Sequence, residues 1–449
     1  MKRRVFAAVG VGGLALLAVT TAFRARADTV VPPWTDPGDL PLPDWAHSVA
    51  PLRPDTPIVG VAGHPEAKRG ATNPAARLPL YGAKRAPGCT GRWLLVGPLA
   101  WICSDAADLS RDAVGAPARP LLEGRAPYRY FYVGAEGAET FLAPPTDEGT
   151  GMDAPEGELD PGFAVAIAGE QAGWGKTSHG KWISLRELAP FRPSRFHGEE
   201  AKDGALDFAW VTSDAASVYS SPSPRGRPAG KKVRFERVAW REERAASNGG
   251  GAMVRVSDDG ASPEAWMRAR DLAHPSLSSP PDEVGGAAAT ARWIDVDLGA
   301  QALVAYEGTA PVYATLVSTG RSDAPTPPGV HRVWVKLRVS DMENLSDEND
   351  EGEHDRYSIE DVPYVQYFDR GVALHGAFWH GDFGHVHSHG CVNLAIQDAA
   401  WLFDFTGPHL LAGWDAAYPT ELEPGTVIRV RPGDAAPIVP AAPRTKGPG

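Results

Sequence analysis

The chain has 449 residues, enough for about three domains. Its 43% hydrophobic and 22% charged residues are the proportions of a protein with real apolar cores. The 49 glycines and 42 prolines break up long helices, which argues against a helical bundle or coiled coil and favours short strands, turns and linkers. A formal charge of −12 argues against general affinity for nucleic acid or anionic lipid.

In chain order, Lys2, Arg3 and Arg4 precede a largely apolar stretch from Val5 to Phe23, and Ala25-Arg26-Ala27 supplies a small-x-small cleavage pattern. Residues 1–27 therefore read as a signal peptide. The same stretch reaches the lower limit for spanning a bilayer, so an uncleaved N-terminal membrane anchor is the alternative. Either way the protein is expected to be exported, to the periplasm or cell envelope. Cys89 and Cys103 are close in sequence, and an oxidising compartment favours a disulfide between them, two buried free thiols being the alternative. Closing a loop of about 15 residues would add roughly 3 kcal/mol in the chain-entropy model. Cys391 is left over, a candidate reactive thiol.

Residues 28–54 read as a Pro-rich linker, with Val31-Pro32-Pro33-Trp34 and Pro41-Leu42-Pro43. A loose repeat follows. Trp101-Ile102 precedes Leu109, Trp182-Ile183 precedes Arg186-Glu187-Leu188-Ala189, and Trp266-Met267 precedes Arg270-Asp271-Leu272-Ala273. Strand-like stretches at Tyr128–Val133 and Met253–Val256 lie upstream of the later two. The Trp-to-Leu ending predicts repeated small β-barrels at 55–115, 125–195 and 205–275. These copies weakly resemble bacterial SH3-like modules, which implies either binding to wall glycan or peptide, or service as spacers and packing partners. Residues 276–290 form a second linker, Pro275-Ser276-Leu277-Ser278-Ser279-Pro280-Pro281 running into Gly and Ala.

A firmly periodic, β-rich domain then covers 291–431. Strands are predicted at Trp293–Leu298, Ala302–Tyr306, Pro311–Ser318 and Val333–Val339. Val372-Ala373-Leu374 reads as a buried strand ending at His375-Gly376, and Leu394–Phe405 as a helix closed by Gly407-Pro408. The tail 432–449 has few large hydrophobes and reads as disordered. The fold class expected is thus mainly β throughout.

Between that strand and helix lies Trp379-His380-Gly381-Asp382-Phe383-Gly384-His385-Val386-His387, then Ser388-His389-Gly390-Cys391-Val392-Asn393. Only a thiolate attacks carbonyls well, and a neighbouring imidazole lowers a thiol's pKa. Five histidines lie within 16 residues upstream of Cys391. Gly390 keeps the approach to the thiol free of a Cβ, so backbone N–H groups can face a substrate carbonyl, as an oxyanion hole requires.

His375-Gly376, 11 residues, then Ser388-His389-Gly390-Cys391-Val392-Asn393 resembles the YkuD-type L,D-transpeptidase family. Ile294-Asp295-Val296-Asp297, Ser318-Thr319-Gly320, and Thr326-Pro327-Pro328-Gly329 with Lys336 also look like that domain. The resemblance implies a cysteine acyltransferase of peptidoglycan, active in cell-wall biogenesis and cell shape. It would attack tetrapeptide stems, release D-alanine, and pass the acyl group to an amine, giving 3→3 cross-links or an anchored envelope protein. It implies Cys391 as nucleophile, His375 as general base and acid, and Gly376 orienting His375 through its carbonyl. His389 and Gly390 would line the oxyanion hole with Ser388 bracing the loop, and Asn393 and Trp379 would meet substrate. L,D-carboxypeptidase action, with water as acceptor, and a wall-binding scaffold without turnover remain alternatives. No cofactor is implied. A zinc site built from His375, His380, His385, His387, His389 and Cys391 lacks the usual ligand spacings. The acidic stretch Glu343–Arg356 does not complete a calcium loop, because Glu351 stands at the fifth position and Ser358 at the twelfth; it reads as a solvated loop, with a lid over the site as the alternative.

Overall fold

In a computed structural model, residues 38, 40–115, 121–145, 154–246, 250–284, 290–344 and 356–433 are described. The expected signal peptide, most of the acidic stretch and most of the tail lie outside the described residues. The chain is mainly β. Among the described residues no helix is long and apolar enough to cross a membrane.

The C-terminal domain is two sheets around one helix. Its elements are β1 (Arg292–Asp297), β2 (Ala302–Glu307), β3 (Ala310–Leu316), β4 (Gly329–Arg332), β5 (Val335–Glu343), β6 (Ser358–Asp369), β7 (Val372–Gly376), β8 (Val392–Leu394), α1 (Ile396–Phe405), β9 (Trp414–Ala417) and β10 (Val427–Arg431). One sheet runs β3-β2-β1-β10-β4. The other pairs β9 with β5, β5 with β6, β6 with β7, and β7 with β8 in parallel.

The near-continuous apolar run of β2, and the apolar residues of β1 on either side of the sheet, are buried because both faces are covered. Ile294, Val296, Leu303 and Ala305 face Leu374, Val392 and α1 residues Ala399 and Leu402. The alternate residues Trp293, Val304 and Tyr306 join a different core with Phe196, Phe208 and Trp210 from upstream. This is the period of two expected of strands, with a core on each side. Asp295 shares the Trp293 face and accepts from Arg429 Nε at 2.7 Å and Arg431 Nε at 2.9 Å.

Helix α1 buries Ile396, Ala399, Leu402 and Phe403 between the sheets. Buried Asp398 ties it to its surroundings, accepting from Tyr313 Oη at 2.8 Å, Gly198 N at 2.9 Å and Thr315 Oγ1. At its C-terminus, where carbonyls lack helical partners, Lys336 Nζ donates to Phe403 O and, at 2.8 Å, to Thr406 O. Lys336 is fully buried.

Each upstream segment has short strands and an apolar core, around Leu94 and Ile102 (shared with Trp414 and Ala417 of β9), around Phe131 and Ile183, and around Val211 and Met267. Cys89 and Cys103 are bonded, with Cα atoms 5.6 Å apart. The reading of 28–54 as linker is corrected at its end: Ser48–Pro51 is a strand paired with Ala107–Ser110. The segments are also not separate beads. Lys68–Thr72 pairs with β9, and Glu199–Glu200 pairs with β3 at the edge of its sheet. Ala164 bridges Ile359 of β6.

Candidate active site

The parallel pairing of β7 with β8 sets the site. Its register places Leu374 beside Val392 and His375 beside Asn393. The loop between the strands thus returns the chain so that Cys391, just ahead of β8, sits at the edge that carries His375. Both line a cavity of about 590 Å³ whose walls include Trp379, Tyr367, Ser388 and His389.

His375 is 2% exposed, and its Nδ1 lies 3.3 Å from the carbonyl of Gly376. A carbonyl only accepts, so Nδ1 carries the proton and Nε2 keeps a free lone pair. The imidazole stacks on Trp379, with ring centroids 5.6 Å apart. Burial pushes His375 down to about 4, so at neutral pH its imidazole is uncharged. Cys391 is half-buried, and its Sγ lies 3.8 Å from the carbonyl of Gly371. Burial pushes the thiol up to about 11. The expectation that nearby histidines lower the thiol pKa is therefore corrected: desolvation disfavours both charged forms, and the resting pair is neutral thiol and neutral imidazole.

The loop carrying Cys391 is clamped from both sides. Ser388 Oγ donates to the carbonyl of Cys391 and accepts from Gly390 N–H at 3.2 Å. Gly390 has φ +120°, a conformation that L side chains rarely adopt. Buried Thr326 donates its hydroxyl to Gly390 O at 2.7 Å and accepts from Gly320 N at 2.9 Å. A Cβ on Gly320 would stand 2.9 Å from Gly390 Cα and 2.2 Å from Ala324 O, so only glycine permits this approach. Ser318 exchanges backbone hydrogen bonds with Asn393, each at 2.9 Å. The Ser-Thr-Gly and Thr-Pro-Pro-Gly motifs thus form the support under the cysteine loop. Sequence reading marked these motifs but gave Thr326 and Gly320 no role.

The remaining candidates divide. His389 is exposed; its Nε2 meets Arg321 at 2.8 Å and its ring stacks on Tyr357. Asn393 is 2% exposed, and its amide lies 2.9 Å from His380 Nε2. His380 Nδ1 accepts from Asp382 N–H at 3.1 Å, so Nε2 carries the proton and the amide oxygen is the partner that chemistry requires. The other amide position is buried and has no hydrogen-bond partner among the described residues, while Asn393 as a residue borders the cavity. One candidate ligand atom each from His380, Asp382 and His387 lies within 4.8 Å of the others. Both His380 nitrogens are already engaged, however, and Asp382 pairs with Arg234 at 3.2 Å. Gly162, Ala164 and Phe191 of the second upstream segment also line the cavity, which no sequence motif signalled.

Residues 291–430 match the family model of the YkuD L,D-transpeptidase catalytic domain. No curated protein matches the chain. Among solved structures, the catalytic domain of an Enterococcus faecium L,D-transpeptidase is 26% identical, covering 32% of this chain and 98% of that one, with a TM-score of 0.24. An L,D-transpeptidase from Stackebrandtia nassauensis is 24% identical over 32% of this chain, with a TM-score of 0.22; the chain spans 56% of that protein's length. One from Mycobacterium smegmatis is 18% identical over 40% of this chain and 90% of that one, with a TM-score of 0.26. The C-terminal third of the chain is accordingly identified, by its match over residues 291–430, as a YkuD L,D-transpeptidase catalytic domain.

Proposed function

We propose that this protein is an exported peptidoglycan L,D-transpeptidase acting through a cysteine acyl-enzyme. The observation that supports it most is the placement of His375 and Cys391 in one cavity, with Nδ1 of the base fixed on the Gly376 carbonyl. In this reading the Cys391 proton passes to His375 Nε2 as Sγ attacks the stem carbonyl ahead of the terminal D-residue. His375 then gives that proton to the departing D-alanine amine, leaving a thioester. An incoming amine attacks the thioester, loses a proton to His375, and the thiol is restored.

The neutral resting pair fits a mechanism in which proton transfer accompanies attack rather than precedes it. The backbone N–H groups of the clamped loop around Gly390 and Cys391 would receive the oxyanion, and the Asn393 amide NH₂ would hold a stem carbonyl. The upstream segments, read as SH3-like modules, would hold the wall polymer and shape one side of the cleft. The test is product analysis with disaccharide-tetrapeptide. Cross-linked dimer with released D-alanine supports transpeptidation, tripeptide alone points to carboxypeptidase action, and no product with intact binding points to a scaffold.

A further inference from the structure

Away from the thiol, β5 and β6 pair in register as far as Ser340 and Val362, then slip before Met342 and Ile359. The bulge sets Asp341 against Glu360 and Asp361, and Asp361 N–H donates to the Asp341 carboxylate at 2.9 Å. The Ser178-His179-Gly180 turn of the second upstream segment lies over this bulge. His179 Nε2 is 3.4 Å from Asp341 and its Nδ1 is 3.5 Å from Glu360. One ligand atom each from His179, Asp341 and Asp361 lies within 4.8 Å of the others. Asp361 is only 7% exposed; its Oδ2 makes no hydrogen bond of ordinary length among the described residues, and the Ser178 hydroxyl, likewise unpaired, is close enough to favour its charged form. The second Glu360 oxygen accepts from Ala166 N–H at 3.1 Å.

Three carboxylates therefore converge on one imidazole. Among the described residues no Lys or Arg pairs with any of the three, so the cluster stays net negative even with His179 protonated. Asp341 is half-exposed, but Asp361 is buried, and negative charge held out of water favours a compensating cation. Imidazole nitrogen with carboxylate oxygens is a donor set suited to first-row divalent ions.

We propose that His179, Asp341 and Asp361 bind a first-row divalent cation that fastens the second upstream segment to β5 and β6 beside the cleft, with Glu360 orienting the imidazole from its other ring nitrogen. Asp341 and Ala164 both line the cavity, so the cation would fix the wall formed where segment and catalytic domain meet. The competing occupant is a proton on His179, whose pKa is pushed up to about 9, chiefly by its hydrogen bond to Glu360.

The test uses the full chain, stripped with chelator and titrated calorimetrically with zinc chloride and, separately, manganese chloride, beside His179→Gln and Asp361→Asn. Expected is one equivalent of at least one ion per chain, bound at least about tenfold more weakly by each variant, the order of loss usual for altered metal sites. The same ion should raise the melting temperature of the parent and not of His179→Gln. His179 lies on a half-exposed turn, so His179→Gln decides the matter even if Asp361→Asn does not fold. Binding of neither ion by the parent, or binding that His179→Gln leaves unchanged, overturns the proposal.

Discussion

Lys336 offers a stability test whose sign and size follow from its setting. It is fully buried, and its ammonium is held by two backbone carbonyls at the end of α1. Desolvation pulls its pKa down to about 7, whereas an unfolded chain titrates lysine near about 10.4. Between those values folding releases a proton, because the unfolded state keeps it and the folded state does not. Stability therefore rises with pH across that window, at about 1.4 kcal/mol per pH unit. Below about pH 7 both states carry the charge and the dependence vanishes. Lys336→Met removes the titration while leaving Phe403 and Thr406 carbonyls short of a donor, at about 1–3 kcal/mol each. The parent should thus gain about 2–3 kcal/mol over the variant from pH 7 to pH 9. Urea unfolding of both proteins at pH 7, 8 and 9 measures this. A difference between them that stays constant across the three pH values would refute the reasoning.

Thr326→Val keeps the shape but leaves Gly390 O and Gly320 N–H unpaired and buried, so unfolding should become easier by about 2–4 kcal/mol; Thr326→Ser should restore most of it in the same urea assay. Alkylation of Cys391 by iodoacetamide should accelerate about tenfold per pH unit through pH 9, because burial pushes the thiol up to about 11; a plateau near neutrality would contradict a neutral resting pair. Asp295→Asn strips the carboxylate from two partly buried arginines and should cost about 2–4 kcal/mol, read from the shift in melting temperature.

Several elements were legible because their signal is local. The alternation at 293–298, 302–306 and 311–318 predicted β1 to β3, and the helix expected at Leu394–Phe405 runs from Ile396 to Phe405. β6 was not read, because Pro363 and the carboxylates of Glu360 and Asp361 interrupt its pattern. The structure accommodates them with positive φ at Asp361 and Tyr364. Pairings between distant segments, such as Glu199–Glu200 with β3, leave no periodic trace, since neither partner signals the other. At the site, the spacing of His375-Gly376 and the Ser-His-Gly-Cys run marked the residues that share the cavity. The direction of their pKa shifts was not legible, because it depends on burial by Trp379, Tyr367 and the packed loop rather than on the number of nearby histidines.

The central claim is that Cys391 forms a covalent acyl intermediate with help from His375. Intact-protein mass spectrometry after mixing with disaccharide-tetrapeptide, beside Cys391→Ala and His375→Gln, tests it most directly. The expected result is an adduct equal to the stem minus D-alanine on the parent, mapped to Cys391, absent from Cys391→Ala and formed far more slowly by His375→Gln. An adduct that survives in Cys391→Ala, or turnover by that variant, would contradict it.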